Sequence, residues 1–456
     1  MAPDSTAGPV LGSAVADDDV LAVLRGWLPA QRWYPVKGSG GDLARVAVVP
    51  LVDPLGEAVV GLHLFGLPAG GVLQVPVVLR AADAERPTGP AHVGTVARPG
   101  GALVVLDGCQ DPAFLRAWLA AAHHDVPVPD VDLAAPGAVR GLGGEQSNTS
   151  VLLPTLPTPA ILKVFRAVSP GANPDVEVPL ALHHAGWGGV PRPLAWLEGR
   201  WPDAREPDGL ASGHLGVLSE LVLGAQDGFE LACRLAAQHT DLGDLALDLG
   251  RTTAQMHTAL RTALPVPDAD LPADAAAVVA MLRSRAAAAE AVAPVLAERA
   301  AGIEAVLSAV GRVGALPPVQ RVHGDYHLGQ VLRAPDRWAV LDFEGEPQAT
   351  AAERARPDLA LRDLAGMLRS VDYAAAVGGA RPGWADLARA RLVEGYREQL
   401  ATDDAATAVT AAAAGVLLRA LELDKALYEV VYEVRNRPDW VDIPLGAVDH
   451  LLAGDR

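Results

Sequence analysis

One stretch constrains this chain more than any other: VQRVHGDYHLGQVLRAPDRWAVLDFEGEP, residues 319–347. An apolar run leads into His323-Gly324-Asp325, Gln330 follows Asp325 by five residues, and a second apolar run from Trp338 to Leu341 ends at Asp342. Two short strands joined by a loop would present Asp325, Gln330 and Asp342 on one rim. Phosphoryl transfer needs a carboxylate beside the acceptor hydroxyl and two oxygen ligands for magnesium on the nucleotide phosphates. Each residue alone is equally at home in a turn or at a strand cap. Together, at this spacing, they point to chemistry.

The same mechanism needs a phosphate cradle and a lysine upstream, and the order along the chain is right. GLGGEQSNTSVLL (141–153) is a glycine-rich turn between apparent strands, whose amides with Ser147, Asn148 and Thr149 are candidate phosphate contacts. In AILKVFR, Lys163 sits inside an apolar strand, where a buried ammonium needs an anionic partner. Phosphate oxygens and Glu177, on a helix expected over Asp175–His184, are the candidates, as in the kinase lysine-glutamate pair. A lysine at a strand end reaching water is the alternative. VLSELVL (217–223), with Glu220 and Val222, is expected to be the last strand of this lobe and the hinge against which adenine lies.

Lysine itself is scarce: of 37 basic residues, only Lys37, Lys163 and Lys425 are not arginine. A position that keeps lysine against such a bias can require a compact ammonium rather than a planar guanidinium. Lys425 lies in LELDKALYEVVYEVRNRPDW, where Leu427, Val430, Val431 and Val434 form an apolar stripe and Asp424, Tyr428, Tyr432 and Arg435 another face. That second face suits a sugar, and it equally suits an amphipathic surface helix. Asp363, in LRDLAGMLRS, could brace the catalytic loop or meet substrate, with bracing the preferred role. Trp33 and Tyr34, near Lys37, fit packing better than nucleotide stacking. The pairs His123-His124 and His183-His184 lack the spacing of metal ligands.

Composition bounds the remaining possibilities. A chain of 456 residues is long enough for two or three packed units. Its formal charge, 37 minus 55 or −18, argues against nucleic acid as a partner. Two cysteines, Cys109 and Cys233, fit a reducing compartment and exclude a zinc-thiolate cluster. No run reaches the roughly 18 uncharged apolar residues of a membrane span, and the acidic start is not a secretory signal. A cytoplasmic protein with no membrane partner is expected.

Short Val- and Leu-rich runs (45–52, 58–67, 71–80) follow a short helix at Asp17–Leu28, and helical periodicity dominates from Gly228 onward, including Leu242–Leu264 and Asp274–Val313. The expected organisation is a disordered 1–16, an N-terminal β-rich cap subdomain over 17–110, an intermediate subdomain over 111–224 completing the nucleotide-binding lobe, and a helical C-terminal lobe over 225–456.

HGDYHLGQVL, DFEGEP, LRDLAGMLRS and ELDKALYEVVYEVRNRPDW, with the RWY segment and LQVPVVLR, resemble the maltokinases, a branch of the aminoglycoside-phosphotransferase-like kinases. The resemblance covers nearly the whole chain. It implies an α+β, two-lobed, protein-kinase-like fold with an N-terminal cap, and transfer of phosphate from ATP to maltose, giving maltose 1-phosphate for α-glucan synthesis. Carried over, Asp325 would be the catalytic base, Gln330 and Asp342 magnesium ligands, and Lys163 the phosphate lysine. His327, Glu344, Lys425, Tyr428 and Arg435, with Asp325, are the candidate acceptor contacts. QRWYPVKG and DFEGEP depart from the usual forms of their motifs. Expected partners are a sugar acceptor, a nucleotide and, through the pathway, glucan- or trehalose-metabolising enzymes. A kinase for glucosamine, another monosaccharide or an aminoglycoside is the nearest rival. A catalytically silent kinase-like module and an acidic docking protein are more distant ones.

Overall fold

The computed structural model describes residues 18–34, 43–68, 70–82, 91–99, 101–127, 131–142, 148–267, 272–345, 354, 356–403 and 411–454. Two compact units share the chain: Met1–Glu177 with Arg192–Leu221, and Val178–Pro191 with Val222–Arg456.

In the first unit, helix α1 (Asp18–Trp27) buries Val20, Leu21 and Leu24, its one apolar stripe. Strands β1 (Arg45–Leu51), β2 (Val59–Gly66), β3 (Val72–Ala81), β4 (His92–Val96) and β5 (Leu103–Asp107) form an antiparallel sheet in the order β1-β2-β3-β5-β4. β3 reads VLQVPVVL because its first eight residues are buried, so apolar side chains serve both faces. Helix α2 (Pro112–Ala121) starts where Asp111 caps the Ala113 N–H and Pro112 occupies the first turn, where no hydrogen bond is lost.

The second sheet of this unit runs β6-β11-β12-β9-β8-β7, with β6 at His123–His124, β7 at Arg140–Gly141, β8 at Asn148–Leu153, β9 at Ala160–Phe165, β11 at Pro193–Pro202 and β12 at Leu210–Glu220. Just after β9, β10 (Ala167–Val168) leaves this sheet and pairs with β3. Gln74 of β3 completes the joint: its amide nitrogen donates to the carbonyls of Phe165 and Leu215, each at 2.8 Å. Arg166 is buried beside the joint, donating to Asp107 (2.8 Å) and Thr149 (2.9 Å) with its guanidinium 4.1 Å from the Trp33 ring. Trp33 is therefore a packing residue of the first unit. Helix α3 (Pro174–His184) gives its first turn to this unit.

The second unit is helical: α4 (Gly228–Ala237), α5 (Gly243–Ala263), α6 (Ala275–Val292), α7 (Ala300–Val310), α8 (Leu361–Gly378), α9 (Trp384–Asp403), α10 (Ala411–Asn436) and α11 (Asp442–Ala453), with a three-stranded sheet β13-β14-β15 (Gln226–Asp227, Val331–Arg333, Trp338–Val340). One large apolar core joins these elements, from Val178 and Leu182 through Leu249, Leu364 and Leu421. α5 and α9 approach closely because each offers a glycine to the other's backbone: a Cβ on Gly250 would strike the Leu392 carbonyl, and one on Gly395 the Leu247 carbonyl. No helix among the described residues is long and apolar enough to cross a membrane.

Two expectations need correction. The helix expected over 274–313 breaks at Ala293, because Pro294 has no N–H to continue the ladder, and resumes at Ala300 after a 3-10 turn. The apolar run before His323 forms no strand: it makes a single bridge, Gln320 with Asp358, so the strand-loop-strand island begins only at Val331.

Candidate active site

The loop from His323 to Gln330 owes its shape to one buried carboxylate. Asp363, in the first turn of α8 and 2% exposed, accepts the His323 N–H at 2.8 Å on Oδ2 and the Gly324 N–H at 3.0 Å on Oδ1. The His257 Nε2 lies 3.0 Å from the same Oδ2, and its Nδ1 is 2.9 Å from the Tyr396 hydroxyl. Burial pushes the Asp363 carboxyl up, but the hydrogen bond and charge of His257, the His323 ring and the Gly324 N–H outweigh it, so the carboxyl titrates below its ordinary range. Of the two roles open to Asp363, the structure gives the bracing one.

Gly324 takes φ +89°, which turns the backbone sharply and brings Asp325 to the surface of the loop. The His323 Nε2 donates to the Leu341 carbonyl at 2.8 Å, so Nδ1 faces the Asp325 N–H at 3.4 Å. The Ser370 hydroxyl accepts the Leu328 N–H at 3.0 Å and fixes the far side. Gln330 then reaches across to Asp342, its Nε2 donating to Oδ2 at 3.1 Å. Asp342 holds φ +60°, a conformation few residues other than glycine adopt and one that functional loops retain at some cost. The Asp342 carboxylate and the Gln330 amide oxygen are hard donors of the kind magnesium takes, and the pair could hold such an ion with the amide turned so that Oε1, rather than the Nε2 that meets Asp342, faces it.

Beside this loop, within the second unit, lies a cavity of about 820 Å³, at the upper end of the size of small-molecule sites. Its walls include Asp325, Arg285 of α6, Arg362 of α8, and Lys425, Tyr428 and Arg435 of α10. The Lys425 Nζ is 3.4 Å from Asp325 Oδ1 and 4.9 Å from the centre of the Tyr428 ring. His327 and Glu344 are not among the lining residues. His327 keeps its Nε2 3.9 Å from Asp325 Oδ2, and burial lowers its pKa against the pull of Asp325.

The face of α10 that suits either a sugar or solvent is divided. Asp424 lines the cavity, but both its oxygens are taken: Arg285 Nε donates to one at 2.8 Å and Arg362 Nη1 to the other at 2.7 Å. Tyr432 is outside the lining, with the Arg437 guanidinium 5.3 Å from its ring. Arg369, 1% exposed, ties the helix to α8 by donating to Glu429 and, on its own helix, to Asp372. Lys425 and Tyr428 therefore stand on a helix with little freedom to shift.

In the first unit, Lys163 is half of an ion pair with Asp175, at the start of α3. The partner expected for it, Glu177, is exposed, and the described contacts give Lys163 to the residue two positions earlier. Asn173 sets that position by capping the Asp175 N–H at 2.8 Å. Asn148 is buried and Thr149 serves Arg166, while Glu220 closes β12 and Val222 begins the second unit. Ser147, most of the glycine-rich turn and Lys37 lie outside the described residues. Arg285 and Arg362 were not foreseen; the only signal for Arg362 is its place beside Asp363 in LRDLAGM.

The chain is similar to known proteins over nearly its whole length. The family model described as maltokinase N-terminal cap domain matches residues 27–111, and that of the phosphotransferase enzyme family (APH) matches 138–403. A glucosamine kinase of Streptacidiphilus jiangxiensis is 32% identical over 90% of this chain and 97% of its own length. One from Mycolicibacterium smegmatis is 32% identical over 68% of this chain and 78% of its own. Among solved structures, a glucosamine kinase in complex with glucosamine, ADP and inorganic phosphate superposes with a TM-score of 0.65 at 25% identity, covering 94% of this chain and 98% of that one. The expected α+β fold of a cap followed by a kinase-like body is the fold observed. The chain belongs to the phosphotransferase enzyme family of aminoglycoside-phosphotransferase type, in its maltokinase-like branch, and is an ATP-dependent kinase acting on an alcohol group.

Proposed function

We propose that this kinase phosphorylates a neutral sugar, maltose, giving maltose 1-phosphate, with magnesium as its metal. Asp325 accepts the proton of the attacking hydroxyl, the role its place on the cavity wall suits. Asp342 and Gln330 hold the metal, which when bound offsets charge on the phosphates. Lys163, oriented by Asp175, binds phosphate oxygens. Asn148, Thr149 and Ser147 are proposed near the phosphates, and Glu220 and Val222 near the base. Of the other candidates, Glu177 lacks the Lys163 contact, and His327 and Glu344 do not line the cavity.

The observation that carries the choice of acceptor is Lys425. Its ammonium lies 3.4 Å from the Asp325 carboxylate, and Arg285, Arg362 and Arg435 share the cavity. A hydroxyl-rich neutral sugar finds donors and an aromatic ring there, whereas an ammonium group would meet cations. Glucosamine is the second reading, favoured by the names of two relatives, and Asp325 is the carboxylate an amine would need.

The test is ADP release from ATP with maltose, glucose, glucosamine and kanamycin, each with and without magnesium, and phosphorus NMR of the product. Magnesium-dependent turnover of maltose to an anomeric phosphate is expected. Turnover of glucosamine alone would replace this reading by the second.

A further inference from the structure

We propose that Arg362 determines acceptor specificity: held between two carboxylates on the cavity wall, it donates through Nη2 to a hydroxyl oxygen of the sugar. The proposal rests on the cavity being the acceptor site.

Three features of the residue set it apart from an ordinary structural arginine. First, its commitments leave one edge over. Nε donates to Asp358 Oδ2 at 2.6 Å and Nη1 to Asp424 Oδ2 at 2.7 Å, while Nη2 makes no hydrogen bond to a described residue. Arg362 also lines the cavity. A planar guanidinium fixed at two corners presents its third in a set direction, and little rotamer freedom remains to be lost on binding.

Second, the carboxylate between it and Arg285 is not available to the ligand. The second oxygen of Asp424 accepts from Arg285 at 2.8 Å, and the Asp424 side chain is 2% exposed. Along the row Arg285, Asp424, Arg362, Asp358, both oxygens of Asp424 are spent on the two arginines, and Asp358 alone keeps exposed carboxylate surface on the cavity wall. Burial alone would lower the proton affinity of Arg362, but Asp358 and Asp424 more than reverse it, so the group stays charged at every relevant pH. It offers hydrogen bonds to hydroxyl oxygens and opposes an ammonium.

Third, its position is coupled to the catalytic loop. The next residue, Asp363, carries the N–H groups of His323 and Gly324, so one helical turn places both the donor and the loop that bears Asp325. A sugar anchored on Nη2 would keep its reacting hydroxyl in register with that loop, as positioning requires.

The experiment compares wild type, Arg362→Gln and Arg362→Lys by steady-state kinetics on maltose and its monodeoxy analogues, with thermal melting of each protein. Expected is a rise in the maltose KM of about 10- to 100-fold, the value of a charge-assisted hydrogen bond, with a smaller fall in kcat as the hydroxyl loses register and the ATP KM changed by no more than about twofold. One deoxy analogue, penalised by wild type, should suffer no further loss in the variant, because the same bond is already gone. If Arg362→Gln does not fold, Arg362→Lys carries the test, since an ammonium can still sit between the carboxylates but cannot also serve the sugar. A maltose KM within twofold of wild type, or a melting point that falls while every analogue keeps its wild-type ratio, overturns the proposal and leaves the acceptor site standing. Wild type that turns over no sugar overturns both.

Discussion

Lys425 and Asp325 are 100 residues apart in the chain, yet the ammonium of one lies 3.4 Å from the carboxylate of the other. The contact joins α10 to the loop that bears Asp325, and both residues line the same cavity. A carboxylate that serves as base gains from a cation that orients it, and the same cation screens which acceptors approach.

Replacing Lys425 by Met keeps the stem and removes the charge. The ratio of kcat/KM for glucosamine over maltose should rise by about tenfold or more, because a like-charge contact is lost. The two acceptors assayed on one enzyme preparation give the ratio directly. An unchanged ratio would mean that Lys425 takes no part in discrimination.

Asp325→Asn retains shape and hydrogen bonding but cannot accept the proton. The expected loss in kcat is about 10²- to 10⁴-fold, with ATP affinity by calorimetry close to wild type. Wild-type turnover in this variant would remove Asp325 from the mechanism.

Lys163→Met should raise the ATP KM and lower kcat by at least about tenfold, while leaving maltose affinity unaltered. Asp175→Asn should act in the same direction but more weakly, since the carboxylate pairs with the ammonium and its proposed part is to orient it. Glu177→Gln, by contrast, should be close to wild type. Kinetics on the three variants separate these roles.

Asp363 makes stability depend on pH. Its folded-state pKa is lowered, so the unfolded chain binds its proton more readily, and the stabilisation is full above the unfolded carboxylate range of about 3.9. It is lost as pH falls through the lower folded value. Melting points from pH 7 to pH 3 should therefore fall more steeply for wild type than for Asp363→Asn. At pH 7 the Asn variant should already be destabilised, by about 1–3 kcal/mol for each loop donor left without its partner.

Much of this was readable in the sequence because the information was local. Asp325, Gln330 and Asp342 fall at a spacing set by one loop and one hairpin, and the structure brings Gln330 and Asp342 into contact. Strand periods in the first 110 residues and helical periods after 228 likewise depend on neighbours a few positions away. What was misjudged depends on distant residues. Asp175 rather than Glu177 meets Lys163, because the start of α3 and its Asn173 cap decide which carboxylate reaches β9. Asp424 has the position of a sugar ligand on a helical wheel, but arginines 62 and 139 residues away claim both its oxygens. The break before Ala300 is legible at Pro294, whose missing N–H outweighs the apolar spacing that runs past it.

The most direct test of the central claim, that this cavity selects a neutral sugar hydroxyl, is competition. Wild-type enzyme is given equimolar maltose and glucosamine with limiting ATP and magnesium, and the two sugar phosphates are quantified by mass spectrometry. Maltose phosphate in at least about tenfold excess is the result the cationic cavity wall predicts. Glucosamine phosphate as the main product would contradict it.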